Sequence, residues 1–513
     1  MKKFFLIFAA VLLLLPFKSY AQTTEDELNQ KINSLDQQLK ALQQQMQDLQ
    51  KQKEEAAAAP APAPAEAKKA ADWPNWLEIG GDYRFRGDYL RGTIPAYYQF
   101  DPTKGTATQV SGFAVKNNTL FTNRFGLNLK ARATEDIQVK ARLLMYKVWG
   151  EESSTPVTSD SFFTDRAGVF DGTITHVPDD NALRVDYAYA TWSNVGGAPV
   201  WFSIGRRPST GGLPSNIREF REKPGTAGIP SIMVDYAFDG ATLGVAPYIE
   251  ALPGAYAKIC YGKGYDSGFR SEANSLHDTQ MIGVNVVPYD TDNLTIELQW
   301  NRAIDIFDFP PDFVITNPNL IKAFGTNTFQ PSANLGNIDQ FGGVVTGKVL
   351  ENLNLFASAA LSKTHPNGHR SMLGPGLLDN AGTTSHTGYG LYVGGRYDMP
   401  STGTMIGAEY NHGSKNWITF APAADDMWTS KLGTRGNVYE GYVIQEIKKR
   451  LISKNGLAFF RLGYQYYTFN YTGSNSWLGS SVSMDDLNNP MNAQLFAPVR
   501  HAQDIYLTFD VRF

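Results

Sequence analysis

The chain has 513 residues, among them 30 Phe, 25 Tyr, 9 Trp and 47 Gly, with a formal charge of −4. That length holds two or three ordinary soluble domains or one very large barrel, and nothing in the charge is basic enough for nucleic acid. A single cysteine, Cys260, excludes an intramolecular disulfide, a CxxCH haem site and a Cys-rich metal cluster, and reads as a tolerated thiol.

Lys2 and Lys3 precede an apolar run from Phe4 to Phe17, followed by Ser19-Tyr20-Ala21. Fourteen residues fall short of the roughly 20 that span a bilayer, so the segment reads as a signal peptide over 1–21 with Gln22 as the first mature residue. Removing Lys2, Lys3 and Lys18 with it takes the formal charge from −4 to −7.

Over 22–55, Leu28, Ile32, Leu35, Leu39, Leu42, Met46 and Leu49 are spaced 4, 3, 4, 3, 4, 3 among polar residues. That is the seam of a three-heptad coiled coil, too short to stand alone in water, so it implies self-association as a dimer or trimer, or a partner. The Ala/Pro tract over 56–72, with Pro60, Pro62 and Pro64, reads as a semi-rigid spacer before an independent module, 73–513.

In that module the heptad period gives way to alternation. The chain's last eleven residues place Gln503, Ile505, Leu507, Phe509, Val511 and Phe513 on one face and Asp504, Tyr506, Thr508, Asp510 and Arg512 on the other. Sixteen strands are predicted, at 76–91, 120–133, 137–149, 182–193, 199–208, 231–238, 241–251, 277–288, 293–304, 338–349, 353–363, 386–398, 403–413, 437–449, 456–471 and 502–513. Seven tight turns, Asp239-Gly240 among them, alternate with eight long connections such as Ser209 to Pro230 and Pro253 to Leu276. Long loops on one rim, short turns on the other and both ends on the short-turn side give an all-β fold, a transmembrane antiparallel barrel of the outer-membrane kind behind a short α-helical coiled coil. Tyr83, Tyr89, Trp149, Tyr389, Tyr397 and Tyr464 fall on the outward parity and could contribute to interfacial girdles.

A barrel of this size leaves a lumen that its own wall side chains cannot fill, so function should reside in the charges that line it. Alternation directs Arg84, Arg86, Arg124, Lys130, Arg132, Lys140, Arg142, Arg184 and Arg207 inward on the first strands, and Glu297, Glu409 and Asp510 inward on later ones. Such opposed walls orient polar solutes, and an excess of Arg and Lys favours anions. The third long connection carries Gly211, Gly212 and Gly225 as joints and packs Arg218, Glu219, Arg221, Glu222 and Lys223 into six residues, which suits a constriction loop folded into the pore. Enzyme signatures are missing: there is no HExxH, GxSxG or GxxxxGK[ST], and Pro366 and Gly368 keep His365 and His369 from sharing a helix face. No catalytic residue, metal or cofactor is expected.

The run GRRPSTGGLPSNIRE, Gly205 to Glu219, together with the leader, coiled coil, spacer and barrel, resembles a family of uncharacterised bacterial outer-membrane porins with an N-terminal coiled coil. The resemblance implies a porin-like channel embedded in outer-membrane lipid, with the coil in the periplasm tying protomers together or contacting the cell wall. It also implies a setting in bacteria whose outer membranes carry multihaem cytochromes. The alternative is a non-conducting barrel scaffold that docks or sheathes an electron-transfer or adhesion partner.

Overall fold

The computed structural model describes residues 75–101, 103–150, 175–309, 313–314, 318–449, 451–453 and 455–513, with Lys40 and Gln44. The leader, the coiled-coil seam and the Ala/Pro spacer lie outside the described residues.

The strands of the barrel are β1 (Leu77–Ile94), β2 (Phe113–Arg132), β3 (Ile137–Val148), β4 (Arg184–Trp192), β5 (Val200–Pro208), β6 (Ala237–Val245), β7 (Tyr256–Tyr265) and β8 (Thr279–Asp290), then β9 (Leu294–Phe307), β10 (Asn334–Leu350), β11 (Leu353–Pro366), β12 (Thr387–Met399), β13 (Thr404–Gly413), β14 (Gly436–Glu446), β15 (Leu457–Phe469) and β16 (His501–Arg512). Each pairs antiparallel with its neighbours, and β16 closes the ring on β1 from Asp82↔Arg512 to Thr93↔His501. A closed barrel has no edge strand, so the wall's backbone groups pair from strand to strand around the ring, as a lipid environment demands.

Polarity is inverted relative to a soluble β-protein. On β16, Asp504 and Thr508 are 0% exposed while Ile505 and Leu507, on the other face, are 46% and 48% exposed. Ile259, Phe341, Ile406, Val443 and Leu462 continue the apolar outer belt, and Trp149, Tyr389, Tyr397 and Tyr464 stand exposed on it. Inside, tyrosines lie across glycines of the next strand. The Tyr506 ring occupies the space where a Cβ of Gly463 would stand, and Tyr442 does the same at Gly407.

The predicted number of strands matches, but the sixth and seventh are displaced. Asp239-Gly240 is no turn; it lies within β6, and Gly240 is required because the Tyr261 carbonyl oxygen of β7 takes the place of a Cβ. The turn is 246–255, and β7 occupies what reads in sequence as the middle of a long loop. Asp-Gly is a local hairpin signal, here overridden by close approach of two strands. The first long connection also holds its own hairpin, Tyr97–Asp101 with Thr106–Val110.

Candidate functional site

Every basic residue assigned to the lumen by alternation lies on the inner face or at its rim. Arg84, Arg86 and Arg142 are buried there, and Arg124, Lys130 and Lys140 line a cavity. Arg132 sits at the short-turn mouth beside Glu78, Arg184 pairs with Asp179 and Asp180, and Arg207 meets Thr242. Glu297, Glu409 and Asp510 are buried on the same face.

The inner face of the wall carries three pairs of like charges on directly opposed residues of neighbouring strands: Arg84↔Arg124, Glu409↔Glu440 and Lys130↔Lys140. Such pairs repel unless a counter-charge sits between them. For the first two, one connection supplies it. The segment 414–435 folds into the lumen and presents Asp425 to both Arg84 and Arg124, the latter at 3.7 Å. It also presents Lys431 to both Glu409 and Glu440, the latter at 2.6 Å. Burial alone would raise the Asp425 carboxyl, but the surrounding Arg84, Arg124, Arg86 and Arg461 hold it well below the usual carboxylate range.

The other inward connection is 209–236, with the short helix Ser215–Glu219. Arg218 reaches Asp426 and Glu440, both at 3.3 Å, and its carbonyl accepts from Arg461 at 2.9 Å. Arg512 donates to the carbonyls of Phe220 and Glu219 at 2.6 and 2.8 Å, and Arg396 to that of Ile217. Glu219 pairs with Arg221 at 3.0 Å, and Arg221 comes within 3.9 Å of Asp82. Farther on, Lys258 donates to the carbonyls of Thr226 and Gly228, and Lys223 pairs with Asp290 at 2.5 Å near the short-turn rim; Glu222 is exposed. The segment therefore bridges walls far apart around the barrel, held at both ends by charge-assisted hydrogen bonds.

Between these two segments and the wall β1–β4 lies a polar cavity of about 1040 Å³. It runs from Glu78, Gly456 and Phe513 at the short-turn rim to Thr210 and Gly211 on the long-loop side. Its described lining holds nine Lys and Arg against nine Asp and Glu. Tyr187 and Tyr189, with His176 2.9 Å from the Asp186 carboxylate, complete one side. Burial would lower His176, but the Asp186 carboxylate beside it raises it. Burial pushes the Asp235 carboxyl, which also lines the cavity, up to about 7.

The opposite half of the lumen is filled with apolar side chains from the long connections. Trp417, Ile418 and Phe420 pack with Ile232, Met233, Phe307, Leu377 and Trp477 in one buried cluster. Sequence reasoning missed this plug and the role of 414–435. The signal was there: Trp417, Phe420 and Trp428 flanking the Asp425-Asp426 doublet make an aromatic-rich connection unsuited to a purely solvated loop.

A family profile described as "Protein of unknown function (DUF3373)" matches residues 114–513. The chain belongs to that family. None of the curated proteins matches the chain. Among solved structures it is similar to OmpF of Salmonella typhi in complex with daunomycin, at 12% identity and TM-score 0.39 over 85% of this chain and 97% of that one. It is similar also to OmpT of Vibrio cholerae in its trimer form, at 10% identity and TM-score 0.39 over 85% and 99%. An anion-selective porin from Comamonas acidovorans aligns at 9% identity and TM-score 0.41, again over 85% and 99%. Among the described residues no cluster of His, Cys, Asp and Glu could hold a metal ion; Cys260 is a free thiol on β7 that accepts from Thr242 Oγ1 at 3.4 Å.

Proposed function

We propose that the chain is an outer-membrane porin-like channel through which small hydrophilic solutes and ions diffuse passively, with 209–236 as its constriction. The observation that carries this reading is the polar cavity running along the β1–β4 wall of a barrel whose outer face is apolar. Diffusion needs no catalytic group. The lining orients solutes by its field, and since its described acids and bases balance, an anion preference is modest and arises locally, at the lysine-rich mouth. The leader exports the chain, and the N-terminal heptads, in the periplasm, assemble protomers into a homo-oligomer.

Single-channel recording of the purified, folded protein in a planar bilayer tests the reading. Stepwise currents are expected, growing several-fold when 214–223 is replaced by a short Gly-Ser link. Current unaffected by that replacement would remove the constriction role. The apolar plug favours a second reading, a non-conducting scaffold that docks an electron-transfer or adhesion partner; electrical silence from correctly folded protein would move the weight there.

A further inference from the structure

Of the three like-charged pairs in the lumen, two are bridged by a side chain delivered from 414–435, and the third is not. Lys130 and Lys140 stand directly opposite each other on β2 and β3 and line the cavity near its short-turn mouth. Glu78 is the nearby acid, and it is shared: it lies 3.4 Å from Lys130 and 3.5 Å from Arg132. Lys140 has no hydrogen bond or ion pair among the described residues. This side of the mouth therefore holds three cations against the one carboxylate of Glu78, although the cavity as a whole is balanced and Glu446 lines it elsewhere on the rim. The neighbouring row is already neutralised, since Arg142 is bound to Asp82 at 2.6 Å and reaches Asp186 at 3.4 Å.

We propose that this gap is a binding site for a small dianionic oxyanion, held between the Lys130 and Lys140 ammonium groups as Asp425 is held between Arg84 and Arg124. The physical grounds are the same in both places. Two opposed cations a strand spacing apart repel, and an anion between them converts the repulsion into two charge-assisted hydrogen bonds. The excess of two positive charges matches a dianion better than chloride. Lysine, a compact point charge on a flexible stem, suits an exchangeable ligand, whereas the two permanent bridges on the wall are buried. Arg132, exposed at the rim, lies on the approach. The site deepens the channel reading by naming a permeant class, but it is open to direct test without current.

Inorganic phosphate is the probe, titrated by calorimetry into the detergent-solubilised full chain at constant ionic strength, with chloride as the reference anion. Saturable phosphate binding is expected, weakened about tenfold or more in Lys130→Gln/Lys140→Gln as two charge-assisted contacts are lost. Glu78→Gln, which removes the competing carboxylate, should bind several-fold tighter, and this gain excludes misfolding as the cause of the loss. Sulfate binding equal to phosphate would assign the site to tetrahedral dianions in general. Absence of binding above chloride, or binding unchanged in the double variant, overturns the proposal. Binding by a protein that passes no current would sink the channel and leave the site; current without binding would do the reverse.

Discussion

The two halves of this lumen solve one problem in opposite ways. Along β1–β4 the inner face is charged and a polar cavity remains; along the opposite wall the long connections pack Trp417, Phe420 and Trp477 against Phe307 of β9. Both halves depend on 414–435, which carries tryptophans into the plug and carries Asp425 and Lys431 to the charged walls. Plug and cavity wall therefore share one segment, so a change at either anchor reaches the other.

Breaking the charged anchor should have the largest effect. Arg84→Ala leaves Asp425 and Asp510 buried beside one cation fewer, at a cost of about 3–5 kcal/mol, read as a lowered denaturation midpoint in detergent. Breaking the apolar anchor comes next: Trp417→Ala opens a cavity costing about 3–5 kcal/mol at most, with part recovered by local collapse. It should also expose 414–435 to protease while leaving the Lys130 mouth unchanged. Leu507→Arg, on the lipid face of β16, should cost about 2–4 kcal/mol in bilayers, and a polar residue at Thr508, on the lumen face, far less; equal costs would contradict the assignment of faces.

The smallest effects are in pH. Because Asp425 is held below its ordinary range, its contribution to stability is full above the usual carboxylate pKa and is lost only as pH falls well beneath it. Mild acid at pH 4–5 should therefore leave 414–435 in place, which hydrogen exchange would show. Asp235 has the opposite sign. Raised to about 7, its protonated form favours the folded state, so that contribution is present in acid and fades as pH rises through 7. The cavity gains a negative charge over the same window, and any anion preference in reversal potential should decline from pH 6 to 8; Asp235→Asn should abolish the change.

Most of the wall was legible from alternation. Alternation has a period of two, so a strand with lipid on one side and charge on the other announces both faces, and Asp504, Thr508 and Asp510 lie where their parity puts them. The one displaced hairpin, at Asp239-Gly240, came from a glycine serving inter-strand approach rather than a turn. The connections had no such code. Segment 209–236 declared its charges, but its anchors at Arg396, Arg461 and Arg512 lie some 180 to 290 positions away in sequence. The path of 414–435 was visible only as an unexplained aromatic excess.

By itself the sequence determined the all-β class and the number of strands, because both follow from the local rule that a strand between lipid and charge must alternate. Only the tertiary structure decided which inward charges are neutralised, by which connection, and where a cavity remains. Those depend on ring closure and on the register of distant strands, which set Arg84 against Arg124, Glu409 against Glu440 and Lys130 against Lys140, and no local pattern encodes a pairing made across the barrel.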